Sequence, residues 1–239
     1  MRRALVTGGS SPIGAAICRR LAEDGVGIIV HANASGDRAE ALAQELLDAG
    51  AWARAVTFDL TDGPASRAAI TALLADGPIQ IVVHNAGTHE DVPLAGMSAV
   101  QWQRVVDVSL NGFFNAVQPL LLPLLATRWG RILAMSSLSA VMGNRGQVNY
   151  AAAKAGLIGA VRALSLECAP RGITVNAIAP GIIASPAVDA VMTRERIAAL
   201  VPMKRAGRPD EVAELAAFLA SDRAAYISGQ VISINGGIA

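Results

Sequence analysis

From residue 4 to residue 234 the chain alternates strand-length apolar runs with helical patterns, and that alternation leaves few folds open. Apolar runs at 4–7, 26–31, 54–58, 79–84, 131–135, 173–178 and 231–234 are separated by helical stretches. These fall at 13–24, 37–49, 63–75, a long region ending near Thr127, 150–168 and 210–220. Each strand-helix pair reads as a βαβ crossover, so the expectation is an α/β fold with a doubly wound parallel sheet flanked by helices. One domain, 1–239, accommodates the whole pattern. Strands buried on both faces draw on aliphatic side chains, and the chain is 53% hydrophobic but only 4% aromatic. Residues 182–208 carry Pro186 and Pro202 and match no element; a long irregular excursion of this kind is expected to be a substrate loop.

Charge and cysteine content narrow the partners. The formal net charge of +1 supplies no global attraction to nucleic acid or to an anionic membrane. No uninterrupted apolar segment reaches the ~20 residues of a membrane span, and Met1-Arg2-Arg3 runs straight into a strand without a signal-like apolar region. Cys18 and Cys168 are too few for a disulfide framework and lie in helical apolar patterns, which suits a reducing cytoplasm.

Polar and small residues gather where the predicted strands end. Thr7-Gly8-Gly9-Ser10-Ser11-Pro12-Ile13-Gly14 joins the first strand to the first helix. Glycine there lets backbone N–H groups approach a pyrophosphate at a helix N-terminus, although a tight turn needs glycine with no ligand at all. Asp59-Leu60 closes the third strand and Asn85-Ala86-Gly87 the fourth, at the carboxyl edge where open α/β sheets bind ligands. Ser137 follows the fifth. Tyr150 and Lys154 sit four residues apart in a helical segment and therefore share a face. The ammonium beside the phenol is expected to lower the tyrosine pKa toward the working range of a general acid/base. Taken alone, the pair reads first as a buried tyrosine and a surface lysine, because such spacings are common by chance.

Taken together these motifs resemble the short-chain dehydrogenase/reductases over nearly the whole chain, through Pro180-Gly181 to Asn235-Gly236-Gly237. The resemblance implies a Rossmann-like fold that binds NAD or NADP. It makes Tyr150 the proton donor or acceptor, Lys154 its tuning partner and a ligand of the nicotinamide ribose, and Ser137 the group that orients the carbonyl oxygen. Gly8, Ser10, Ser11, Ile13, Gly14, Asn33, Asp59, Leu60, Asn85, Ala86, Gly87, Pro180, Gly181, Ile183 and Ser185 are then the cofactor contacts, with Asp59 on the adenine and Ser185 on the carboxamide. Two positions depart from the pattern. Pro12 replaces the middle glycine of the turn, where it cannot donate an N–H. Ser109, in Ser109-Leu110-Asn111-Gly112-Phe113, stands where the family commonly has a catalytic asparagine, and Asn111 falls elsewhere on the helix.

No carboxylate follows His31 at the end of the second strand, where an acid would bond a ribose 2′-OH and repel a 2′-phosphate. Ser10, Asn33, Ser35 and Arg38 suit a phosphate, so NADPH is expected over NADH. The segment 142–156, with Gln147 before the tyrosine, and the ending at 229–237 resemble 3-oxoacyl-[acyl-carrier-protein] reductases. That resemblance implies a substrate borne on an acyl carrier protein, docked at Arg128 and Arg171, and a homotetramer in which helix 150–168 and the C-terminal segment form contact faces. The rivals are a relative acting on a free alcohol, sugar or steroid ketone, and a non-catalytic nucleotide-binding scaffold. No metal is expected.

Overall fold

Seven parallel strands form one sheet in the order β3-β2-β1-β4-β5-β6-β7, seen in a computed structural model that describes residues 1–239. The strands are β1 (Arg3–Thr7), β2 (Gly27–Ala32), β3 (Ala53–Thr57), β4 (Ile81–His84), β5 (Gly130–Met135), β6 (Ile173–Pro180) and β7 (Val231–Ile234). The order reverses between β1 and β4, and this switch opens a crevice at the carboxyl edge. Helices α1 (Pro12–Glu23), α2 (Gly36–Asp48), α3 (Gly63–Leu74), α4 (Ala99–Val106), α5 (Gly112–Ala126), α6 (Leu138–Met142), α7 (Val148–Cys168), α8 (Pro186–Asp189), α9 (Arg194–Leu200) and α10 (Pro209–Ala220) complete the chain.

Because strand side chains alternate between faces, each strand feeds two cores. Ala4, Val6, Ile28 and Val30 pack with Ile17, Leu21, Leu46 and Val212 of α1, α2 and α10. Leu5, Ile29 and Val82 pack with Leu73, Leu120, Leu124 and Leu157 of α3, α5 and α7. Cys18 and Cys168 lie in opposite cores, so they cannot pair.

Two regions differ from the expectation. The long helical region is interrupted by one π-helical turn, Asp107–Asn111, in which the Gly112 amide reaches back five residues to the Asp107 carbonyl. Ala99–Ala126, with this turn included, is long and apolar enough to cross a membrane by length and composition. Phe113, Ala116, Leu120 and Leu124 bury its inner face against the sheet, as a core helix does. Residues 182–208 are not irregular throughout: α8 and α9 form there, capped by Ser185 and Thr193, and Ile183 bridges to Gly207.

Candidate active site

The turn between β1 and α1 requires its glycines. Gly8 has φ +60°, and a Cβ at Gly14 would overlap the Gly8 carbonyl oxygen and stand 2.9 Å from Asn85 Nδ2. Pro12 is the first residue of α1, where no N–H is needed, so the departure at this position leaves the helix start intact. Ser11 caps the helix by accepting the Gly14 amide at 3.2 Å.

The amides that meet a phosphate here are not those of the glycines. Gly8 donates to His31 Nδ1 at 3.3 Å and Gly9 to the His31 carbonyl at 2.8 Å. Ser11, Gly14 and Ala15 are also committed within the turn, whereas the amides of Ser10 and Ile13 have no such partner. These two remain for an anion at the start of α1.

Asn85 acts from beneath. Its Nδ2 donates to the carbonyls of Thr7 and Gly8 and to Ser11 Oγ, at 3.2, 2.9 and 3.0 Å, which staples the turn to the end of β4. Thr7 Oγ1 accepts the amides of Asn85 and Ala86, each at 3.1 Å. With both lone pairs used, its proton must go to His84 Nδ1, 3.2 Å away. His84 is therefore the Nε2–H tautomer and donates to the Ser109 carbonyl at 2.9 Å. His31 likewise donates from Nε2 to the Phe58 carbonyl at 3.0 Å. Burial holds both imidazoles neutral, His31 at about 4 and His84 at about 3, the latter also depressed by the Lys154 charge. Neither histidine stood out in the sequence; the available signal was a polar side chain closing each of two apolar strands.

The adenine-side residues are also tied. Asp59 accepts the amide and hydroxyl of Thr61 at 2.8 Å each, and Asn33 bonds it as well, so its pKa is lowered. Ser10 and Ser35 hydroxyls lie 3.1 Å apart beside the end of β2, and Arg38 is exposed in the first turn of α2.

A cleft of about 760 Å³ opens at the carboxyl ends of β4, β5 and β6. Asn85, Gly87, Ser137, Gln147, Tyr150, Lys154, Pro180, Gly181 and Ile183 all line it. Ser137 caps α6, accepting the Ser139 amide at 3.1 Å, and its hydroxyl stands beside the Tyr150 phenol. Buried Asn149 fixes the start of α7: it accepts the Tyr150 amide at 2.8 Å and donates to the carbonyls of Glu90 and Gln101. Gln147 bridges Ser139 Oγ, at 2.7 Å, to Asp91, at 2.8 Å.

Lys154 does not act on the phenol as expected. It is buried, donates to the Met135 carbonyl at 2.8 Å, and lies 5.7 Å from the Tyr150 ring centroid. Burial raises the Tyr150 pKa, the Ser137 hydrogen bond offsets part of this, and Asp91 adds to the rise. Burial also brings Lys154 down to about 8. Ser109 lies in the π turn with a buried Oγ that has no hydrogen-bond partner. A Cβ at Gly87 would stand 2.9 Å from Lys154 Nζ and 3.4 Å from that hydroxyl, so the two groups flank one small space. Asn111 is exposed and bonds Asp107 instead.

Ser185 caps α8, accepting the Val188 amide at 3.2 Å, beyond Pro180 and Gly181. Gly181 presses so closely on Asn235 that a Cβ would stand 2.7 Å from its Cα. The Arg128 carbonyl packs against Gly172, the residue after Arg171, but both arginines precede their strands, β5 and β6, and so occupy the amino edge of the sheet, across from the cleft. The arginines that line the cleft are Arg145 and Arg196, to which the sequence reading gave no role.

Residues 8–239 match the family described as Enoyl-(Acyl carrier protein) reductase. The chain belongs to the short-chain dehydrogenase/reductases. Among relatives of this short-chain reductase, the 3-oxoacyl-[acyl-carrier-protein] reductase FabG of Aggregatibacter actinomycetemcomitans is 42% identical over 236 residues, covering 98% of each chain. The FabG of Staphylococcus epidermidis is 39% identical over 240 residues, 99% of this chain and 98% of the relative. Nodulation protein G of Azospirillum brasilense is 40% identical over 241 residues, 98% and 97%. As a short-chain reductase the chain uses a nicotinamide cofactor, and the glycine turn, the free Ser10 and Ile13 amides and the Gly181 approach fit one.

Proposed function

We propose that this short-chain reductase uses NADPH to reduce a 3-oxoacyl thioester carried on an acyl carrier protein to the 3-hydroxyacyl form. The observation that carries the reading is that Ser137 and Tyr150 stand side by side in a cleft walled by Ile182, Val188, Val191, Met192 and Leu200, with Ser137 near enough to lower the phenol's pKa. Two hydroxyls directed at one oxygen suit a carbonyl, which supports the ketone reduction named in the FabG relatives over reduction of a carbon-carbon double bond. A pure nucleotide scaffold would have no need of Ser137, Tyr150 and Lys154 together.

A nicotinamide cofactor held by the Ser10 and Ile13 amides and by Lys154 would supply hydride for the carbonyl carbon. Ser137 Oγ, anchored by the Ser139 amide, donates a hydrogen bond to the carbonyl oxygen and stabilises charge developing there. Tyr150 is protonated at neutral pH because burial raises its pKa, so it gives its proton to that oxygen. Lys154, whose pKa of about 8 keeps it mostly charged at neutral pH, lies 5.7 Å from the centroid of the ring that becomes the phenolate and so meets the new negative charge only at long range. Lys154 Nζ spends one N–H on Met135 and has others for the nicotinamide ribose. Ser109 Oγ, orphaned beside Lys154, is suited to hold a water that returns a proton to the site.

NADPH is favoured because no carboxylate closes β2 itself: Ser10 and Ser35 stand beside its end, Arg38 and the acid Asp37 share the first turn of α2 beyond it, and Asp59 is engaged by Thr61. A homotetramer agrees with the apolar surface left on α5 and α7, where Phe114 is 60% exposed and Leu122 and Leu166 are 78% exposed. Cytoplasmic placement agrees with two buried free thiols. Because Arg128 and Arg171 face away from the cleft, the carrier is placed at the cleft mouth. A carrier on that arginine pair would have to serve another copy.

A panel of kcat/KM values tests the reading. The carrier-bound 3-oxoacyl thioester with NADPH should exceed NADH and exceed free alcohols, sugars and steroid ketones. A higher value for a free ketone, or for NADH, would overturn the corresponding part.

A further inference from the structure

We infer that Arg145 and Arg196 form a clamp at the cleft mouth for the phosphate of a phosphopantetheine arm. The inference rests on the carrier-thioester reading above and assigns to it a recognition site in this chain.

Both arginines line the same cleft as Tyr150, and they come from different walls. Arg145 stands on the loop between α6 and α7, between two glycines with positive φ, Gly143 at +78° and Gly146 at +83°. The Gly146 carbonyl accepts the Val92 amide at 2.8 Å, so this turn is pinned to the opposite loop. Arg196 belongs to α9, whose Thr193 cap accepts its amide at 3.3 Å and whose Ile197 is buried. With its neighbour buried, the Arg196 side chain is left on the exposed face.

Neither guanidinium has a carboxylate partner or a hydrogen bond, although nearby Arg205 and Arg208 are both paired with Glu211. The cleft's one lining carboxylate, Asp91, is already held by Gln147 Nε2 at 2.8 Å and His89 Nδ1 at 3.3 Å. The rim between the arginines is apolar: Met142 is 58% exposed, Val191 75% and Leu200 52%. A neutral, flexible arm ending in a phosphate matches this order of surfaces, with the thioester inside, uncharged groups along the apolar rim and the anion at the mouth. Guanidinium groups bind phosphate oxygens through paired N–H donors, and two of them lining one cleft from separate elements can hold an anion at its mouth.

The test compares one short 3-oxoacyl group as its pantetheine thioester and as its phosphopantetheine thioester. In the parent protein the KM ratio of the two should be on the order of tenfold, since each exposed charge contact is worth up to about fivefold. Arg145→Gln and Arg196→Gln should each reduce the ratio, the double variant should bring it near one, and Arg196→Lys should restore part of it. High salt should also lower it. Because a ratio is read, damage common to both thioesters cancels. A ratio near one in the parent, or an unchanged ratio in the double variant, would overturn the clamp.

Calorimetric titration of phosphopantetheine and pantetheine into the NADPH-saturated protein gives a reading independent of turnover. Phosphate-dependent binding lost in the double variant, with no thioester reduced, would uphold the clamp and sink the reductase reading. Equal binding of the two arms would sink the clamp alone. Finally, a coenzyme A thioester preferred over the carrier-borne one would overturn the carrier as the source of that phosphate.

Discussion

The two ends of the crevice are built on different terms. At the nucleotide end, Thr7, Ser11, His31, His84 and Asn85 use their hydrogen-bonding capacity on one another and on the backbone, and two imidazoles are held neutral to do so. At the substrate end, Ser109 Oγ is orphaned, Lys154 carries a charge with one backbone partner, and Arg145 and Arg196 have none. A site that takes the same dinucleotide each cycle gains from being fixed in advance, because its ordering cost is met on folding. The reacting end must keep donors free for groups that arrive and change charge.

The comparison breaks first at Gly14. Gly14→Ala drives a methyl group into the Gly8 carbonyl and against Asn85 Nδ2. NADPH affinity should fall at least ~100-fold, with stability lowered by several kcal/mol, a size expected for backbone overlap in a buried turn. Cofactor titration checks this, and binding within a few-fold of the parent would mean that the turn is pliable.

Acid should undo the nucleotide end. His31 and His84 have folded-state pKa values lowered to about 4 and about 3, from an unfolded value near 6.5. Their neutral forms stabilise the fold fully above pH ~6.5, and that contribution is lost as pH falls toward the folded values. Between pH 7.5 and pH 5 each should cost about 2 kcal/mol in denaturant unfolding. His84→Asn should flatten that slope whatever it does to stability at neutral pH. An unchanged slope would contradict the neutral assignment.

Lys154 should show the same sign in a higher pH window. Its folded pKa, about 8 against an ordinary value of 10.5, means that stability is lost as pH falls from ~10.5 to ~8 and does not return below. Lys154→Met removes the buried charge, so the protein should become more stable at pH 7 by on the order of 2–3 kcal/mol while losing activity. A destabilised Met variant would show that the Met135 contact outweighs the burial cost.

The smallest effect concerns the far edge. Arg128→Glu and Arg171→Glu should change KM for the carrier thioester by less than about twofold, against several-fold for Arg196→Glu. A larger loss at Arg128 would move docking to the amino edge and make it serve another copy.

How much of this was legible beforehand follows from how local each signal is. Strand and helix alternation is local, and all seven strands fell within a residue or two of the expected runs. Pro12 carried the answer to its own anomaly, since proline is at home in a first helical turn. The π turn did not show, because one widened turn leaves the apolar period of 99–126 almost unchanged. Two short helices in 182–208 were hidden by prolines that turned out to start or follow them. The roles of His31 and His84 depend on partners 23 and 77 residues away, and the Tyr150 pKa depends on burial; neither quantity exists in a motif.

Tyr150→Phe tests the division of the crevice most directly, because it removes one proton and almost no volume from the reacting end. Read together, NADPH binding by titration and single-turnover reduction of the carrier-bound 3-oxoacyl thioester should separate. The account predicts a cofactor Kd within about twofold of the parent and a reduction rate lower by ~10²–10⁴. A Phe variant that reduces within a few-fold of the parent rate, or loses cofactor binding along with turnover, would contradict it.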